Sequence, residues 1–186
     1  EMAIPALCQL SGAQYRTVCE TVRQLVAADE RINLFEFALE RMLTRHLAAH
    51  FEKRKPPTVK YAALRPLLPT CSCLLSTLAH AGNRDAGAAA RAFAQGAAKL
   101  AGGDEPLSPL PRDQCSLKAL DQALDRLAQA SPQIKKRVLE ACAACIDSDG
   151  RVAIEEAELL RVISDSLDCP MPPQLAGRAP ESSKDT

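Results

Sequence analysis

Apolar residues recur at three- and four-residue spacing in four separate runs of the chain, the signature of one buried face on an α-helix. Tyr15, Val18, Val22 and Leu25 form the first, and Phe35, Leu39, Met42, Leu43 and Leu47 the second. Leu117, Leu120, Leu124 and Leu127 make a third stripe, and Ile134, Val138, Cys142, Cys145 and Ile146 a fourth. The spacing predicts helices over about 11–28, 34–53 and 116–130, and another that opens at Ser131-Pro132. Serine there is a preferred N-cap, and proline at the first helical position loses no hydrogen bond. Pro56 and Pro57 stop the second helix.

Between Arg65 and Arg84 the chain holds no Lys, Arg, Asp or Glu. A run of that length nominally reaches across a bilayer. Pro66 and Pro69 break its start, however, and Thr70, Ser72, Ser76, Thr77 and His80 are polar. A buried central helix is therefore expected, with no direct membrane insertion. Asp85 is placed to cap the next helix, through the Ala-rich run 88–98, which Gly102-Gly103 ends. A loop follows over 104–112. The Pro-rich and polar tail 169–186 has little to bury and is expected to be largely disordered.

Two stretches repeat at an offset of 120 residues. In Ala27-Ala-Asp-Glu-Arg-Ile-Asn-Leu-Phe-Glu36 and Asp147-Ser-Asp-Gly-Arg-Val-Ala-Ile-Glu-Glu156, Asp29 answers Asp149, Arg31 answers Arg151 and Glu36 answers Glu156. Gln9/Gln129, Ser11/Ser131, Val18/Val138 and Leu39/Leu159 extend the match. Each copy reads as helix, acidic turn, helix. Gly150 permits a left-handed turn in the second, whereas Glu30 stands there in the first. Asn33 caps the second helix of the first copy, with Glu36 at the reciprocal capping position. The expected fold is all-α, a helical bundle in which the two hairpins bury their apolar faces against each other about a pseudo-twofold axis. One domain would cover 1–168: repeat one 9–53, an Ala-rich helical insert 58–103, the helix 116–130, and repeat two 129–168.

The Asp-Gly-Arg-Val-x-x-x-Glu turn between amphipathic helices resembles the signature of TerB-like helical domains, named for a tellurite-resistance protein. The stretch Glu158-Leu-Leu-Arg-Val-Ile-Ser-Asp-Ser-Leu-Asp-Cys-Pro-Met-Pro-Pro173 is similar to the C-terminal end of bacterial membrane-anchored zinc metalloproteases related to the HtpX and CaaX-processing peptidases. The resemblance implies a non-catalytic docking, regulatory or assembly domain at the cytoplasmic face of the inner membrane. It also implies an upstream protease domain of the same polypeptide as partner, with zinc confined to that domain, and leaves room for self-association. The opening Glu1-Met2 fits a piece of a longer protein. The alternative is a stand-alone divalent-metal-binding or sensing module of the tellurite-resistance type.

Composition narrows the chemistry. The formal net charge is +0, with acids and bases mixed along the chain, so no electrostatic footprint for nucleic acid exists. Eight cysteines without a secretory signal, several of them on helical apolar faces, point to a reducing, cytoplasmic setting. His46 and His50 have zinc-ligand spacing, but Leu47 occupies the position where an HExxH enzyme needs its glutamate. Cys142-Ala-Ala-Cys145 ends its helix, where the dipole disfavours thiolate, and reads as core. No nucleophile–base pair, phosphate loop or metal triad has the spacing catalysis requires, so no enzyme is expected on this chain. The acidic turns are the candidate site. As an EF-hand loop the second fails at its first position, Cys145. In a looser arrangement Asp29, Glu36, Asp147, Asp149, Glu155 and Glu156 would present acids to a divalent cation. In the purely structural reading the aspartates hold the turn by Asx bonding and the glutamates cap the following helix.

Overall fold

The computed structural model describes residues 7–28, 34–52, 58–100 and 107–172. Expectations resting on Asp29, Glu30, Arg31, Asn33, Pro56, Pro57, Gly102, Gly103 and the tail beyond 172 lie outside the described residues, as do the side chains of Val22, Leu25 and Phe35. The fold is all-α. Seven α-helices are described: α1 Gly12–Ala28, α2 Leu34–Phe51, α3 Leu68–Gly82, α4 Ala86–Leu100, α5 Leu117–Leu127, α6 Pro132–Ile146 and α7 Ile154–Ser166. None of the described helices is long and apolar enough to cross a membrane.

The chain forms two compact units, Glu1–Pro57 and Thr58–Thr186. The first unit holds α1 and α2. A reciprocal box opens α1: Ser11 N–H donates to Gln14 Oε1 at 2.8 Å, and Gln14 N–H donates to Ser11 Oγ at 3.3 Å. At the open end of the hairpin the Tyr15 ring stacks on Phe51 with centroids 4.6 Å apart, and its hydroxyl donates to Glu52 Oε1 at 2.8 Å.

The second unit is organised around α3. Ten of its residues, Thr70 through Ala79, are buried, because α4, α5, α6 and α7 all pack against it. The buried Thr77 hydroxyl avoids an orphaned donor by turning to backbone, with Oγ1 donating to the Cys73 carbonyl at 2.9 Å. The uncharged run is thus explained by protein on every side. Leu67, Leu74, Leu75, Leu78, Leu120, Leu124, Leu159 and Leu160 fill the centre, each at most 1% exposed.

The described part of the expected insert 58–103, residues 58–100, supplies the central helix of this unit. Repeat two finds its apolar cover there, since α6 lies most extensively on α4 and α7 reaches α3 and α5. A helix without charge must be enclosed, and the apolar faces of α4, α5, α6 and α7 together enclose it.

Local signals set the ends of these helices. Asp85 Oδ2 accepts from Ala88 N–H at 2.7 Å and Ser116 Oγ from Ala119 N–H at 3.2 Å, as N-caps do. Arg112 donates to the His80 and Asn83 carbonyls, and Arg137 to the Leu100 carbonyl, closing the C-termini of α3 and α4. Ser131 departs from expectation. Its backbone is extended ahead of Pro132, yet its hydroxyl makes no cap bond. Its N–H donates instead to the Tyr61 carbonyl at 2.9 Å, part of a short parallel bridge between Tyr61 and Ala130 that pins the start of the unit to the corner between α5 and α6.

Candidate functional site

The corner between α6 and α7 is built from the second acidic turn. After Ile146 the chain tightens into a 3-10 turn, Asp147–Asp149, closed by Gly150 N–H donating to the Asp147 carbonyl at 3.3 Å. Gly150 then takes the left-handed backbone its sequence predicts, with φ of 74°. Asp149 Oδ1 accepts from Arg151 N–H at 2.9 Å, an Asx turn that holds the reversal. Val152 is buried and anchors the corner to the core.

Glu156 closes the turn from the other side. Its Oε2 accepts from the Ala153 N–H at 2.9 Å, the reciprocal half of a capping box whose N-cap residue, alanine, has no side-chain acceptor. The carboxyl is folded inward, with the residue 5% exposed, and lies on Gly82 at the end of α3. A Cβ at position 82 would fall on the carboxyl group itself. Burial pushes the Glu156 carboxyl up from an ordinary value of 4.5 to about 7; the Ala153 N–H pulls the other way, and the neighbouring Asp149 and Glu155 charges reinforce the rise.

The six candidate ligands are therefore placed as follows. Asp147, Asp149 and Glu155 are exposed, and Glu156 faces the interior. Glu36 is half-buried in the first unit, and Asp29 lies outside the described residues. Among the described residues no group of three or more His, Cys, Asp or Glu side chains is placed to hold one metal ion. The structural roles foreseen for the second turn, Asx bonding by Asp149 and helix capping by Glu156, are both present.

A raised folded-state value means the folded chain holds this proton more tightly than the unfolded chain. The contribution is full below about pH 4.5 and is lost as pH rises through 7. Glu156→Gln keeps an acceptor for Ala153 and removes the buried charge. Its urea midpoint is expected to exceed that of the wild type at pH 8.5 and to converge with it near pH 5. A gap that stays constant with pH would show that the carboxyl titrates normally.

Elsewhere the chain offers little chemistry. His50 is exposed and sits edge-on to Phe51, with ring centroids 4.8 Å apart, while Leu47 is fully buried. Cys142 and Cys145 are core residues. Burial pushes the Cys145 thiol up to about 12, and that of Cys142 well above its ordinary value, so neither is a ready nucleophile or ligand. The sequence reading did not foresee a hollow of about 300 Å³ between α3, α4 and the 109–111 segment, walled by Ala89, Phe93, Leu110 and Pro111 with Ser76 and His80 at its edge. Its only trace in the sequence is the alternation of small residues along 86–93, which reads equally as close helix packing. No family model, no curated protein and no solved structure matches the chain.

Proposed function

We propose that this chain is a non-catalytic helical module, TerB-like in its acidic turn, that serves docking, regulation or assembly in a membrane-bound zinc metalloprotease. One observation carries the non-catalytic part of this reading: in its most distinctive motif, Asp149 and Glu156 are engaged with the chain's own backbone. They hold a corner. The protease connection rests on the resemblance of the turn and of the 158–173 stretch. Co-purification of the chain with the HtpX- or CaaX-class protease of the same genome, together with a changed rate of substrate cleavage, is the expected result. A chain that neither binds that protease nor alters its rate overturns the reading.

A second reading, a divalent-cation module, is favoured by the exposed Asp149 and Glu155 on one turn. A cation at a hundred times its dissociation constant adds about 2.7 kcal/mol if it binds the folded state alone. Melts in chelator and then in excess calcium, zinc or manganese distinguish the two. A rise of roughly 5–10 °C with one metal, abolished in Asp149→Ala, moves the cation module forward. Coincident melts are expected for a structural turn.

A further inference from the structure

The hollow between α3 and α4 owes its shape to short side chains on one helix and to a fastened strap. Ala86, Ala89, Ala90 and Phe93 are three or four residues apart on α4, so they share a face, and all four line the hollow. Each alanine contributes a single methyl group. Another wall is the 109–111 segment, and it is tied to α3 through backbone and side chains together. Leu110 N–H donates to Ser76 Oγ at 2.9 Å, and the Leu110 carbonyl lies 3.0 Å from His80 Nε2. A carbonyl only accepts, so Nε2 of His80 carries the proton of that bond. Just beyond the strap, Arg112 donates to the His80 and Asn83 carbonyls. Held at these points, the wall exists before any ligand arrives, and binding need not pay to order it.

Size and charge define what fits. The volume is about 300 Å³, against the roughly 150 Å³ of a cavity that holds one benzene ring. Space for one ring, doubled, is space for two fused rings. No Lys, Arg, Asp or Glu lines the hollow, so an ionised group entering it would lose water and meet no counter-charge. Two lining side chains are themselves aromatic, Phe93 from α4 and His80 from α3, and rings gain from offset or edge-to-face contact with other rings. Ala89 and Phe93 are buried at the base, 3% and 4% exposed, whereas Ala86 and Ala90 are exposed and border the mouth. We propose that this hollow is a binding site for a small uncharged molecule of two fused aromatic rings, seated on Phe93 beneath the Leu110 strap and entering between Ala86 and Ala90. The site selects by size, since a single ring leaves much of the wall untouched. It selects by charge as well, since a carboxylate on the ring finds no partner.

Indole is the probe. The chain has no tryptophan, so indole emission excited beyond the tyrosine band is read against a dark background. Titrating the full chain into indole is expected to shift that emission to the blue and to saturate. Indole-3-acetate, the same ring with a carboxylate, is expected to bind about tenfold more weakly or worse. Ala90→Leu places three further carbons at the mouth and is expected to weaken indole about tenfold or more, with the melting temperature of the free chain little changed. Ala86→Leu, at the other exposed edge, repeats the test should Ala90→Leu disturb the fold. Absence of a saturable shift overturns the proposal. So does equal binding of indole and indole-3-acetate, and so does indole binding that neither leucine variant weakens, because the ring would then be held elsewhere on the chain.

Discussion

Gly96→Leu is expected to destabilise the second unit by about 3 kcal/mol or more, the upper range for forcing extra atoms into a packed core. Gly96 lies on α4 where both α3 and α6 approach closely. A bare Cβ there would already stand 2.9 Å from the Ala141 carbonyl oxygen, 3.0 Å from Cys145 Cβ and 3.0 Å from Leu75 Cδ2. Two of those neighbours are backbone or Cβ atoms of Ala141 and Cys145, each 0% exposed on α6, so they move only if α6 moves as a body. The whole of a leucine side chain has nowhere to go but between α4 and α6, the pair with the most extensive packing in the molecule. Thermal melting should fall by roughly 6–12 °C. Gly87→Ala on the same helix is the control, since its Cβ would meet no backbone, only Arg91 Nη1 at 3.6 Å and the capping Asp85 Oδ2 at 3.2 Å. That change should alter stability by less than about 1 kcal/mol, helix propensity and the close capping oxygen acting in opposite directions. Equal losses at the two positions would mean that α4 and α6 are not in close contact.

Leu74→Ala is the complementary case, in which atoms are removed. Leu74 is 0% exposed in the middle of α3. Truncation removes three carbons and leaves a void in a helix packed on four others, which cannot fully collapse into it, so the expected cost is about 2–5 kcal/mol. Leu74→Met, of similar volume, should cost less than about 1.5 kcal/mol. Urea unfolding followed by far-ultraviolet circular dichroism gives both numbers. Were the alanine variant to lose under 1 kcal/mol, α3 would not be enclosed.

The elements whose causes are local were legible in the sequence. Asp85 caps because an aspartate precedes a run of strong helix formers, and Gly150 turns left-handed because little else does so cheaply. The charge-free run could only be a membrane span or a buried helix, and two prolines and five polar residues decided between them. What escaped was the choice of partner for each apolar face. The stripe Ile134, Val138, Cys142, Ile146 says that α6 must be covered, yet nothing in its spacing says by what. Within its own unit repeat two meets α3, α4 and α5, a set of partners that the symmetry of the repeats does not name. Ser131 makes no hydroxyl cap bond, and its N–H goes to the carbonyl of Tyr61, seventy positions away, a pairing that no local pattern announces. For the candidate site, the capping position of Glu156 could be counted from the turn. Its burial could not, because the space it fills is made by a missing side chain on Gly82.

The enclosure of α3 also bears on how this chain tolerates drift. A helix with one wet face accepts lysine or glutamate at half its positions, and chance substitution there passes almost unnoticed. From Thr70 to Ala79 no residue has a wet face. Most codon changes in this segment that introduce charge or bulk will therefore be purged. Divergence is pushed outward, to the exposed positions of α5 and α6, and two descendants of this chain should stay most alike where they look least distinctive.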